Sequence, residues 1–208
     1  MIYVFSPPNH HSVLRLKTLL IKHDPAFLLK KFTGRSIYLK EFKIVNQKLG
    51  KSASWLKGDG TGVDFSQGLD YVWLSVCHEM AHIFLWSPPK WSENKKIKRL
   101  LKRNKNYNPN DYYYHQYGYH FDYAVEQTLA FLLQAACENR IGFLRSLDWE
   151  NWEHTFKLNG VLELAMFFWE PWVKYLKELK PSSKIDNFIL STLESFTTNQ
   201  ENIFSNLA

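Results

Sequence analysis

A chain of 208 residues with 45% hydrophobic and 16% aromatic content is long enough to close one well-buried core, read as one domain over 1–208, and too apolar to be disordered. No apolar run approaches the ~20 residues of a membrane span, and two cysteines are too few for a disulfide scaffold, so a cytoplasmic protein with reduced thiols is the expectation. The net charge of +6 is local: residues 90–105 hold eight lysines and arginines against the single Glu93, a net +7, and the remainder is close to neutral.

The opening Met-Ile-Tyr-Val-Phe-Ser-Pro-Pro has neither the basic region nor the long apolar run of a secretory signal. Ser12 can cap a short amphipathic helix to residue 22, with Val13, Leu16, Leu19 and Leu20 sharing a face. Asp24-Pro25, a cap followed by a proline, predicts a second helix through Phe32, ended by Gly34. Residues 37–45 alternate and are rich in β-formers, which predicts a strand; 48–60 reads as a polar loop holding Trp55, and 61–66 as a second, shorter strand. Asp70 stands where the cap of the next helix belongs.

Residues 71–86 are apolar nearly all round, and their polar members Ser75, His78, Glu79 and His82 recur at i, i+3, i+4 and i+7. The helix must stop by Ser87, because Pro88 and Pro89 follow. A cationic helix over 92–103, with only Ile97, Leu100 and Leu101 as an apolar stripe, should lie on the surface. Residues 104–110 read as a polar loop. The aromatic stretch from Asp111 to His120 contains Gly118, which argues for a tight backbone turn.

From Phe121 to about Arg140 the pattern is helical. Gln127, Gln134 and Glu138 mark a solvent face there, and Glu126 falls with Leu129, Ala130 and Leu133 on the apolar one. Asn159-Gly160 opens a further apolar helix, expected to break at Pro171 and continue to about Lys180; 185–196 makes a last amphipathic one. Trp149, Trp152, Trp169 and Trp172 are expected to pack this C-terminal helical layer.

The chemistry-bearing motif is His78-Glu79-x-x-His82. Two histidines four apart stand one turn apart on one helix face, the separation at which both rings reach a single Zn²⁺, with Glu79 beside them. Zinc would polarise a water and Glu79 would take its proton. A merely structural pair of core histidines is the competing reading, and it must account for three polar groups in an otherwise apolar helix. Glu126, a carboxylate on a core-facing stripe, is the candidate third ligand, with Asp122 or His120 as alternatives.

His78-Glu79-x-x-His82 followed by Glu126 on a later helix resembles the gluzincin branch of the zincin metallopeptidases. The stretch Glu126-Gln-Thr-Leu-Ala-Phe-Leu-Leu133 is similar to the third-ligand helix of ImmA/IrrE-like intracellular metallopeptidases, from which the chain departs by some forty residues, including the cationic helix, between His82 and Glu126. Tyr119, seven residues before Glu126, matches the oxyanion-stabilising tyrosine of proteases similar to the anthrax lethal factor catalytic domain; Tyr112 to Tyr117, His115 and His120 are the alternatives. The longer metzincin form is absent, since Leu85 and Pro88 stand where it needs glycine and histidine.

The resemblance covers roughly residues 60–140. It implies an α+β, helix-dominated, zincin-like fold with a small sheet on the motif helix, zinc on His78, His82 and Glu126, and hydrolysis of a peptide or protein substrate with Glu79 as general base. By the same analogy, the strand at 61–66 would be the edge on which an extended peptide adds. The alternative is a zincin-like regulatory or binding protein that does not cleave, meeting an acidic partner or nucleic acid through the cationic helix.

Overall fold

The computed structural model describes residues 1–7, 11–37, 39–47, 59–142 and 145–205, with the backbone alone at 55–56 and 201–205. The chain begins with a strand, β1 (Ile2–Ser6), which the sequence pattern had not marked, then α1 (Val13–Lys22) and α2 (Pro25–Thr33). Asp24 caps α2 by accepting from the Ala26 N–H at 2.9 Å, and Gly34 ends it in the left-handed region at φ 62°, the stop and start the sequence predicts. β2 (Glu41–Asn46) covers only the second half of the expected strand, of which residue 38 lies outside the described residues. Most of the expected 48–60 loop also lies outside them. Two of its residues form β3 (Trp55–Leu56), and β4 (Gly60–Val63) follows directly.

The sheet runs β1-β2-β4-β3, with β1, β2 and β4 parallel and β3 antiparallel to β4. Thus β4 is flanked on both sides, by Asn46↔Val63 pairing on one and Trp55↔Thr61 on the other, and is not the open edge expected from the analogy. The one-sided burial of β1 and β2 follows their alternation: Phe5, Phe42 and Ile44 face the helices, and Ile2, Val4, Glu41 and Lys43 face outward.

α3 (Leu69–Trp86) begins one residue after a short 3₁₀ segment, with Gly68 at its cap position and Asp70, expected as the cap, two positions further on inside the first turn. Its end is fixed from outside: the Arg35 guanidinium donates to the carbonyls of Ser87 and Pro89 at 3.1 and 2.8 Å and pairs with Asp186 at 2.5 Å. α4 (Lys95–Arg103) starts at Asn94, whose side chain accepts from the Lys96 N–H, and buries Ile97, Leu100 and Leu101 as the sequence predicts. The aromatic stretch forms a short helix, α5 (Tyr112–Tyr117), capped by Asp111, and Gly118 makes the expected tight turn at its end with φ 64°.

α6 (Phe121–Ile141) is the central helix, and every residue from Ala124 to Glu138 is buried. Gln127, Gln134 and Glu138 are therefore not a solvent face. Gln127 and Gln134 turn toward His78 of α3, and Glu138 is covered from downstream, where α7 (Trp149–Leu158) and α8 (Leu162–Lys177) lie against α6. Arg145 satisfies the fully buried Glu138 with two N–H donors at 2.8 and 3.1 Å, stacks on Trp152 and reaches Thr155 of α7. α8 passes through Pro171 without breaking, against the expectation; Phe168, Trp169 and Trp172 around the proline are all buried and hold the helix in place. α9 (Ile185–Ser205) closes the layer, and Trp149, Trp152, Trp169 and Trp172 pack it as expected. Among the described residues no helix is long and apolar enough to cross a membrane.

Candidate metal centre

The site lies where α3 and α6 run antiparallel. The thiol of Cys77 meets that of Cys137, the His78 ring lies on Phe131, and His82 meets Glu126, so numbers rise along one helix as they fall along the other. Both cysteines are buried and unbridged, and burial followed by the neighbouring Cys137 holds the Cys77 thiol well above its ordinary range.

His78 and His82 turn their Nε2 atoms toward each other at 3.3 Å, with the rings near perpendicular at 79°. Two nitrogens that are each about 2.0–2.1 Å from one tetrahedral zinc stand about 3.3–3.4 Å apart, so this spacing suits two ligands of a single ion. Glu126 meets the other nitrogen of His82: its Oε1 is 2.7 Å from Nδ1, and both side chains are buried. A carboxylate only accepts, so Nδ1 carries the proton, and Nε2 of the neutral ring is left as a lone pair aimed at His78.

Burial drives the rest of the electrostatics. The His78 ring is pushed down to about 3, first by burial and then by His82; the carboxamides of Gln134 and Gln127 oppose this, yet neither closes a hydrogen bond on the enclosed Nδ1. Burial raises the carboxyl of Glu79, with His82 opposing, and its Oε2 is enclosed without a hydrogen-bond partner. A buried carboxylate oxygen and a buried imidazole nitrogen are each costly when left without a partner.

The sequence candidates divide, for the His115 ring bonds the Pro109 carbonyl and His120 and Asp122 line a cleft beside α4. His78, Glu79, His82 and Glu126 are brought together. Glu126 holds the outer nitrogen of His82, whose lone-pair direction diverges from the point the two Nε2 atoms share, and among the described residues no set of three or more His, Cys, Asp or Glu closes round one point. Donor chemistry and Nε2 spacing thus fit zinc for the histidine pair, with the carboxylate one step outside.

Tyr119 is partly buried in a ladder of rings with Tyr114, Tyr117 and Tyr123, and its hydroxyl has Tyr123, Tyr117 and Asp111 as electrostatic neighbours. Tyr123 is the phenol that neighbours both Glu126 and Glu79, and it accepts a 2.8 Å hydrogen bond from the Gln127 amide. Tyr123 and Gln127 were missed from the sequence. The signal was present in their spacing, since position 123 lies one turn before Glu126 and shares its side of the helix.

Behind His78 runs a chain of polar groups with no counterpart in the motif. The Gln134 amide lies near the ring and donates to Glu138 at 3.0 Å, and Glu138 is in turn fixed by Arg145. Compared with family models, with curated proteins and with solved structures, the chain shows no significant match to any of them.

Proposed function

We propose that the chain is a zinc-dependent peptidase of zincin-like architecture that acts in the cytoplasm on a peptide or protein substrate. The observation that carries this is the pair of Nε2 atoms 3.3 Å apart beside the enclosed, unpartnered Oε2 of Glu79. His78 and His82 would hold the ion through their Nε2 atoms, with Glu126, the third ligand expected from the resemblance, having to leave Nδ1 of His82 to join them; the ion would supply Lewis acidity toward a water and the scissile carbonyl. Glu79 takes a proton from the attacking water and returns it to the leaving amine, a task suited to a carboxyl raised by burial. Glu126 fixes the tautomer of His82 in the observed arrangement. A phenol donates to the developing oxyanion; Tyr119 is the choice from resemblance, and Tyr123 is better supported by its neighbours Glu79 and Glu126. The unbridged thiols of Cys77 and Cys137 support a reducing compartment.

Glu79→Gln is expected to abolish hydrolysis and leave zinc content unchanged, measured by peptide-library cleavage and elemental analysis. Normal cleavage by Glu79→Gln would remove the mechanism. Glu126→Ala separates its two roles: a lost ligand empties the site, whereas a lost orienting group weakens zinc affinity by about 10–100-fold.

One observation favours a second reading. With Glu126 on Nδ1 of His82, the chain would suit a regulatory protein that binds without cleaving. A zinc-loaded protein that leaves every member of a peptide library intact selects this reading.

A further inference from the structure

Four of the eight cations in the run that dominates the charge of the chain gather in one concave place. Lys98, Lys102 and Lys105 recur along one side of α4 and its C-terminal extension, and together with Lys90 and His120 they line a single cleft of about 520 Å³. The ammonium groups of these four lysines form no ion pair among the described residues. The platform beneath them is rigid: Ile97 and Leu100 are buried, and the Asn104 side chain ties the end of α4 to Leu100 and to Thr197 of α9. Four unpaired cations held beside one another repel, and a fold that keeps them together favours an anionic occupant.

The position of the cleft says what occupant. Its far wall is His120, Phe121 and Asp122, the cap and first residues of α6, and Tyr123 follows immediately. Asp122 and Glu126 share a face four residues apart, about 6 Å along the helix, a distance that two residues of extended peptide span. The cleft wall therefore lies about one helical turn along α6 from Glu126 of the candidate metal centre.

The lining also discriminates between polyanions. Glu93 and Asp122 sit among the lysines and would oppose a continuous phosphate chain, whereas carboxylates spaced along a peptide can settle between them. Among the described residues no arginine lines the cleft, and of its two rings Phe121 is buried, which leaves only the small imidazole of His120 for base stacking. We infer that this cleft binds an acidic, Asp/Glu-rich segment of the peptide substrate within a few residues of the bond to be cut. The inference rests on the peptidase reading for its substrate and on the cleft alone for its ligand.

The experiment measures both separately. Fluorescence anisotropy of the full chain carrying Glu79→Gln is recorded with a labelled peptide alternating Glu and Ser, with its Gln/Ser counterpart, and with an oligothymidylate of matched charge. The Glu peptide is expected to bind at least about tenfold more tightly than the Gln peptide, and its affinity to fall as salt is raised. Lys98→Glu/Lys102→Glu should remove that preference, while Lys95→Glu/Lys96→Glu, on the same helix but outside the cleft, should keep it. Equal binding of the two peptides, an unaffected Lys98→Glu/Lys102→Glu variant, or tighter binding of the oligothymidylate than of the Glu peptide each overturns the inference. The zinc-loaded wild type is then offered the two peptides for hydrolysis: cleavage without acidic preference defeats the cleft and leaves the peptidase, and acidic binding without cleavage of any peptide defeats the peptidase and leaves the cleft as a binding site.

Discussion

His78 and Glu79 are neighbours in sequence whose carboxyl and imidazole are shifted in opposite senses by the same burial. In the unfolded chain the imidazole binds its proton near 6.5; in the fold it does so only near 3, so between these values the unfolded state holds more protons. Stability of the metal-free protein is expected to fall as pH drops from 6.5 toward 3. Glu79 acts in the other direction, because its raised folded value makes its contribution fade as pH rises above 4.5. Urea unfolding of metal-free Glu79→Gln across this range isolates the histidine. His78→Asn in that background should flatten the slope; an unchanged slope would assign it elsewhere. At the same scale, whether His82 carries its proton on Nδ1 is set by Glu126, a residue 44 positions away.

Among the elements, α6 carries two carboxylates with different partners. Glu126 meets a histidine, and Glu138, with no exposed surface, meets a guanidinium. Arg145→Ala would strand the Glu138 charge in the core and is expected to cost about 3–5 kcal/mol, read from the urea midpoint. Arg145→Lys should recover only part of that, because an ammonium cannot reproduce the two-pronged contact.

Two glycines at helix ends test strain against collision. Gly142 ends α6 at φ 62° with open space around its α-carbon among the described residues, so Gly142→Ala should cost about 1–2 kcal/mol from backbone conformation alone. Gly160, between α7 and α8, has φ 68°, and a β-carbon there would stand 2.5 Å from the Tyr114 nitrogen. Gly160→Ala should cost visibly more, since α5 must move as well; equal shifts in melting temperature for the two would show that the α5 contact carries no weight.

At the scale of the molecule, a metal that binds only the folded chain must stabilise it by mass action. With zinc at about a hundredfold above its dissociation constant the gain is about 2.7 kcal/mol, and it should vanish in His82→Ala. Thermal unfolding with and without zinc checks this independently of any substrate. A wild type indifferent to zinc would leave His78 and His82 as a buried histidine pair held by Glu126.

How far all this was legible in the sequence follows from the range of each interaction. The sequence by itself determined what depends on neighbours within a turn or two: the Asp24-Pro25 start and Gly34 stop of α2, the thin apolar stripe of α4, the pairing of His78 with His82, and the presence of Glu126 on the core side of a later helix. Helical period and capping chemistry are local, so they can be read without the fold. Tertiary structure alone decided the rest. It turned Gln127 and Gln134 toward His78 and covered Glu138 from downstream, so that all three became interior groups, and it carried α8 straight through Pro171. It placed β4 inside the sheet, set Tyr123 rather than Tyr119 beside Glu79 and Glu126, and put Glu126 on Nδ1 of His82. The physical reason is common to all of these: periodicity says which residues share a face, but what covers that face, and which atom of a side chain meets its partner, is fixed by elements distant along the chain.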